Sequence, residues 1–175
     1  MTTQPIAYPE DRDLIKFLFF STFCLMVGTI HGVWQIQPPI REWLDSIGSP
    51  YGGPGHMIDP LAHAHMNLIG GVVTLCMAAT YYMLPKIAGV ALWSRRLVFH
   101  TFWWTAVGLL GFYTTLMTFG TLEGNLLLAG DLEGMDAMHQ IYKPVIATIA
   151  TVMGVGFWVF FFNVFATIRA AYKKS

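Results

Sequence analysis

Four long apolar stretches dominate this sequence and limit the folds that it can adopt. A helix that crosses a bilayer needs about 20 mostly apolar residues. The stretches that meet this requirement are 17–36, 60–84, 97–121 and roughly 138–168. Only 11% of the residues are charged and 55% are hydrophobic, whereas soluble domains carry about 25% charged residues. We therefore predict an all-α integral membrane protein in which residues 1–175 form one domain of four transmembrane helices.

Prolines mark the ends of two of these stretches. Pro60 stands at the start of the second stretch, where its missing N–H costs no hydrogen bond, and Pro85 follows its last residue. Pro38 and Pro39 follow the first stretch in the same way. The positions of the prolines therefore agree with the ends of the apolar stretches.

The segments between the stretches differ in the sign of their charge, and this difference predicts an orientation. Two segments are basic: they carry Lys86, Arg95 and Arg96, and then Arg169, Lys173 and Lys174. The other two segments carry mainly acidic residues. Because basic segments stay in the cytoplasm, we predict a multi-pass protein of the cytoplasmic (inner) membrane with both termini inside. The formal net charge of zero gives no indication of nucleic acid binding.

Four of the six histidines fall near the predicted outer ends of three spans. His31 and His65 are each five residues from the outer end of their stretch, which places both about 7–8 Å inside the boundary at ~1.5 Å per residue. His63 is about half a turn shallower, and His139 lies in the first turn of the fourth helix. For a single histidine at this depth, an ordinary interfacial role is as good an explanation as a functional one. Four at one depth favour a functional site, because ionisable residues within spans are usually functional and imidazole is the commonest metal ligand.

Haem suits this layer better than a bare metal ion, because the porphyrin is apolar and few carboxylates or thiolates lie at this depth. His63 and His65 differ by about 200° around a helix, so they cannot both bind one iron. In a four-helix bundle the second and fourth helices are diagonal, which favours His65 with His139 as axial ligands. His31 with His65 matches better in depth, and both pairings remain open. Lys143 could pair with a haem propionate, although lysines here more often extend to lipid headgroups.

The second stretch also carries a family pattern. It begins Leu61-Ala-His-Ala-His-Met-Asn-Leu-Ile-Gly-Gly and ends Ala-Ala-Thr-Tyr-Tyr-Met-Leu-Pro85. This resembles the second transmembrane helix of subunit I of the haem–copper oxidase superfamily, particularly the large subunit of nitric oxide reductases. There, a histidine two residues before an asparagine ligates low-spin haem b near the outer face. The resemblance implies that His65 is a haem b ligand and that Asn67 is the accompanying asparagine.

The resemblance covers at most the first four of the family's twelve helices, so it implies haem binding more directly than gas reduction. Our leading hypothesis is an electron-transfer subunit that holds haem b and receives electrons from quinol or a periplasmic donor. It would work as a homo-oligomer or within a larger respiratory-type complex. One alternative is an oligomeric gas reductase in which His31, His63 or His139 holds a second haem or a copper ion. The other is a non-redox accessory subunit that handles haem or copper.

Overall fold

The computed structural model describes residues 11–173, so Lys174 of the charge argument lies outside the described residues. Within this range the chain is helical and contains no strand. The helices are α1 (Arg12–Gln35), α2 (Pro38–Ser46), α3 (Gly53–Ala88), α4 (Arg95–Leu128) and α5 (Leu132–Tyr172). All except α2 are long and apolar enough to cross a membrane. The prediction of an all-α membrane protein with four transmembrane helices is confirmed.

Helix α3 is irregular in the half that carries the histidines. Asp59 has an extended backbone (φ −129°, ψ 112°) and interrupts the helix directly before Pro60. The proline ring disfavours a helical conformation in the residue that precedes it. The segment Met66–Val73 is then π-helical, a widened geometry that is frequent at functional sites. His63 and His65 lie between these two irregular parts.

Small residues bring α1 close to α3. A Cβ atom added to Gly28 would lie 2.3 Å from Asn67 Oδ1, and one added to Gly32 would lie 2.8 Å from His63 Cε1. Ser21 Oγ donates a hydrogen bond of 2.8 Å to a backbone carbonyl of α3. Such close contacts between small residues are typical of helix pairs in membranes. The side chains of α3 therefore reach the backbone of α1.

Helix α5 packs mainly on α4 and leaves most of its own surface exposed. A Cβ atom on Gly108 of α4 would lie 2.4 Å from the Met153 Cα atom of α5. Asn163 is fully buried and bonds both backbone polar groups of Ser94, at 3.0 Å each. On the other face of α5, by contrast, Trp158 is 74% exposed. This face is available to lipid or to another protein chain.

Helix α2 and the turn after it lie across one end of the bundle, which we call the α2 end. Arg41 of α2 donates hydrogen bonds to Asp45 and Asp59, at 2.6 Å each, and to Ser49 Oγ, at 2.8 Å. Hydrogen bonds to Asp45 and then Asp59 hold the pKa of Arg41 above its ordinary value. Because Asp59 belongs to α3, this network joins α2 to the start of the histidine-bearing segment. The turn between α4 and α5 lies at the same end, where a Cβ atom on Gly124 would meet Ile47.

Candidate functional site

The histidines of α1 and α3 lie at one level of the bundle. The His65 ring packs against Phe112 of α4, with the ring centroids 4.6 Å apart. His31 Nδ1 lies 3.2 Å from the hydroxyl of Tyr113, the next residue of α4. Because these two contacts are adjacent on α4, His31 and His65 have nearly the same depth. They belong to different groups, however, since the His31 ring packs beside His63 at 5.5 Å.

The His65 imidazole is held in one tautomer. Its Nδ1 lies 2.8 Å from the backbone carbonyl oxygen of Leu61. A carbonyl accepts but does not donate, so Nδ1 carries a proton, and in the neutral imidazole Nε2 then has the lone pair. Nε2 has no hydrogen-bond partner within residues 11–173, and the ring is half-buried. This arrangement leaves one nitrogen oriented and available as a ligand.

Asn67 belongs to the His63 side of α3. Its amide nitrogen donates a hydrogen bond of 3.2 Å to the His63 carbonyl, and its side chain fills the space beside Gly28. The structure therefore places Asn67 between α1 and α3, without a described contact to the His65 ring.

His139 forms a separate pair at the α2 end. Its Nδ1 lies 3.1 Å from a carboxylate oxygen of Glu123, whose side chain is 4% exposed. The third apolar stretch ends at Thr121, so the sequence predicts that Glu123 belongs to the acidic outer segment that follows. In the structure α4 continues to Leu128, which makes Glu123 a buried helical residue. Lys143, one turn beyond His139, is exposed and donates to Gln140 Oε1 at 3.4 Å.

The structure does not bring His65 and His139 of one chain together. His65 contacts α4 at Phe112 and His139 contacts it at Glu123. These positions are eleven residues apart, which corresponds to about 16 Å along a helix axis. Two axial ligands must each be within bonding distance of one iron, so the separation is too large. The reason is that α4 is longer than its apolar stretch, which moves the start of α5 outward.

The remaining candidate residues do not complete a metal cluster around His65. In the part of the chain that the structure describes, no group of three or more His, Cys, Asp or Glu side chains is placed to hold a metal ion. His100 is exposed near the end of α4 opposite to α2 and packs against Phe99. The described residues therefore provide isolated imidazoles and one pair of neighbouring rings, His31 and His63.

Taken together, the fold is a four-helix membrane bundle in which the histidines of α1, α3 and α5 lie in the α2 half. The family model described as cytochrome C and quinol oxidase polypeptide I matches residues 60–143. This range contains α3 from Pro60 onward, all of α4 and the start of α5 through Lys143. That part of the chain is similar to subunit I of the haem–copper oxidases, which confirms the resemblance found in the sequence. No solved structure matches the chain significantly.

Proposed function

We propose that this chain is a membrane subunit that binds b-type haem through His65 and transfers electrons. The observation that carries the proposal is the His65 imidazole: Nδ1 donates to the Leu61 carbonyl, and Nε2 remains free. His65 also lies inside the region that is similar to oxidase subunit I. The haem, once bound, supplies a one-electron carrier whose potential depends on its axial ligands and burial.

The surroundings of His65 fit an axial ligand. Metal-ligating histidines usually donate their second ring N–H to a carbonyl or carboxylate, which fixes the orientation of the ring. Leu61 provides that acceptor within the same helix. Phe112 provides an apolar wall on one side of the imidazole and excludes water there. The chain therefore orients the ligand before the haem arrives.

A second axial ligand for the same haem would come from another protein chain. Neither His31 nor His139 of the same chain faces His65, because His31 packs against His63 and His139 lies about 16 Å further along α4. Low-spin haem needs two strong ligands. The proposed unit is therefore a homo-oligomer or a larger respiratory-type complex, with Lys143 exposed for contacts at its surface.

We expect the purified chain to be part of an assembly. The exposed aromatic face of α5, with Phe162 60% and Phe165 67% exposed, is available for packing between chains as well as for lipid. Native mass spectrometry from mild detergent should give an oligomer or a complex that retains haem. A haem-loaded, low-spin monomer would contradict the proposal that a second chain supplies a ligand.

We further propose that the α2 end faces the outside of the cytoplasmic membrane. The basic residues Lys86, Arg95 and Arg96 lie at the other end of the bundle, and basic segments stay in the cytoplasm. The haem would then be near the outer face, accessible to a quinol or to a periplasmic electron donor.

Reporter fusions test this topology. Fusions after Gly48 and Gly130 should report the outer compartment, whereas fusions after Ile87 and Ser175 should report the cytoplasm, because the loop charges fix the orientation. Alkaline phosphatase and a fluorescent protein provide complementary readouts. Cytoplasmic signals at Gly48 and Gly130 would reverse the orientation and place the haem on the inner side.

A further inference from the structure

A groove lies on the outside of the bundle, at the end opposite to α2, and we call it the α5 groove. It has a volume of about 550 Å³ and runs along the last three turns of α5, from Phe162 to Lys173. Trp93 also lines it, from the segment between α3 and α4. The lining residues of α5 recur every three or four positions, so they form one stripe about 16 Å long. The groove therefore follows the helix axis.

Hydrogen bonds hold the Trp93 side of the α5 groove in place. The Trp93 backbone N–H donates to the hydroxyl of Thr167 at 2.9 Å, and this hydroxyl donates to the Asn163 carbonyl at 2.7 Å. Thr167 and Asn163 are both fully buried. The neighbouring Ser94 bonds the Asn163 amide through both of its backbone polar groups. The groove is therefore built by packed structure and does not depend on a ligand for its shape.

The α5 groove is apolar towards the middle of α5 and basic at the end of the helix. Phe162 and Phe165 line the apolar part, and both are exposed. Arg169 and Lys173 line the basic part and are one helical turn apart. None of the described lining residues is acidic, and neither cation has an ion pair or a hydrogen bond with a described residue. Within residues 11–173, two positive charges therefore lie side by side without a counter-ion.

This order of apolar and basic residues matches a phospholipid that lies parallel to α5. Its acyl chain would contact the two phenylalanines, and its phosphate would meet the two cations, of which arginine can donate two parallel hydrogen bonds. Basic pockets beside transmembrane helices are known to bind anionic lipid headgroups. The positive-inside tendency explains basic residues at this end, but it requires no groove beside them. A second apolar helix in the groove would leave both cations unpaired.

We propose that the α5 groove binds one anionic phospholipid, with its phosphate at Arg169 and Lys173 and one acyl chain along α5. A headgroup with a net negative charge, such as phosphatidylglycerol, is favoured over zwitterionic phosphatidylcholine, because the two cations repel the choline ammonium. The bound lipid joins the end of α5 to the segment between α3 and α4. His65 lies in the other half of the bundle, so this site is independent of the proposed haem.

Native mass spectrometry of the delipidated, assembled protein, titrated in detergent with phosphatidylglycerol or phosphatidylcholine, tests the headgroup. We expect one saturable phosphatidylglycerol per chain. Each cation near a membrane surface strengthens binding of an anionic lipid roughly five-fold, so the double variant Arg169→Gln, Lys173→Gln should bind phosphatidylglycerol about 30-fold more weakly. Lys86→Gln is the matched control, because Lys86 is exposed at the same end and does not line the groove. Equal affinity of the unaltered protein for the two lipids would overturn the proposal.

A substitution that fills the α5 groove tests the acyl chain separately. Ala166 lines the groove, so Ala166→Leu should exclude roughly two methylenes of the chain and lower the affinity for phosphatidylglycerol about 10-fold, with both cations still present. Ala147→Leu is the control, because Ala147 is exposed on α5 and does not line the groove. Unchanged binding in Ala166→Leu, or equally tight binding of inorganic phosphate, would show recognition of the negative charge alone and would overturn the proposal.

A crosslinking measurement decides if the substituted proteins do not accumulate. The unaltered protein is loaded with phosphatidylglycerol that carries a photoactivatable group on its acyl chain. Crosslinks concentrated at Trp93 and in residues 162–173 support the proposal, and crosslinks spread evenly over the exposed faces of all helices overturn it. Haem content should be equal in all of these variants, so failure of the haem assignment leaves this test unaffected.

Discussion

His65→Ala should abolish the haem absorption of the purified protein. The substitution removes the imidazole whose Nδ1 is fixed on the Leu61 carbonyl and whose Nε2 has no hydrogen-bond partner among the described residues. Loss of an axial ligand removes a strong bond to iron and changes its spin state, so the spectrum should respond more than the protein yield. Haem content per chain and the reduced-minus-oxidised spectrum provide the measurement.

His100→Ala is the matched control for this experiment. It removes the same side chain from the opposite end of the bundle, where His100 is exposed and its ring lies beside Phe99. Its spectrum should equal that of the unaltered protein. A normal low-spin spectrum in His65→Ala would show that the ligand has been assigned to the wrong residue. A remaining high-spin signal would show haem that has lost one axial ligand and is held by the other.

Gly108→Leu should destabilise the bundle strongly. A Cβ atom at this position would lie 2.4 Å from Met153 Cα and 2.5 Å from Met153 N, so it would meet backbone that cannot rotate away. Overpacking of a close contact typically costs about 1–3 kcal/mol, and occasionally more, and separation of α4 from α5 places this case at the upper end. We expect a much lower midpoint of thermal unfolding in detergent and less protein in the membrane.

Gly154→Leu is the control for size and helix propensity. Gly154 lies one residue from Met153 in α5, and a Cβ atom there has nothing within 4 Å. The same substitution should therefore leave the unfolding midpoint nearly unchanged. Equal losses in both variants would mean that leucine itself, rather than the contact between α4 and α5, causes the effect.

The number and kind of the helices could be predicted from hydropathy because membrane spans need long apolar runs. The short helix α2 could not, since it is too short for a span and Arg41 bonds Asp59 and Ser49, which lie outside the helix. The break in α3 was partly predictable from the sequence, because Pro60 marks the start of the second apolar stretch. The widening at Met66–Val73 left no sequence signal that we recognise.

Hydropathy predicted the depth of the histidines of α1 and α3 in the membrane well, and the depth of His139 less well. Hydropathy placed His31 and His65 at one level, and adjacent residues of α4 contact both in the structure. The end of α4 was misplaced because Glu123 looks like a loop residue, while burial and pairing with His139 keep it in the helix. The tautomer of His65 depends on a carbonyl one turn away, which composition and spacing do not reveal.

The most direct test of the account is haem analysis of the unaltered protein, purified from haem-sufficient membranes. The pyridine haemochromogen assay identifies the haem type, and electron paramagnetic resonance of the oxidised protein reports its spin state. We predict b-type haem in a low-spin, bis-histidine form, lost on His65→Ala, because His65 is oriented as an axial ligand. Protein that is folded and assembled but takes up no b-type haem would contradict the central claim.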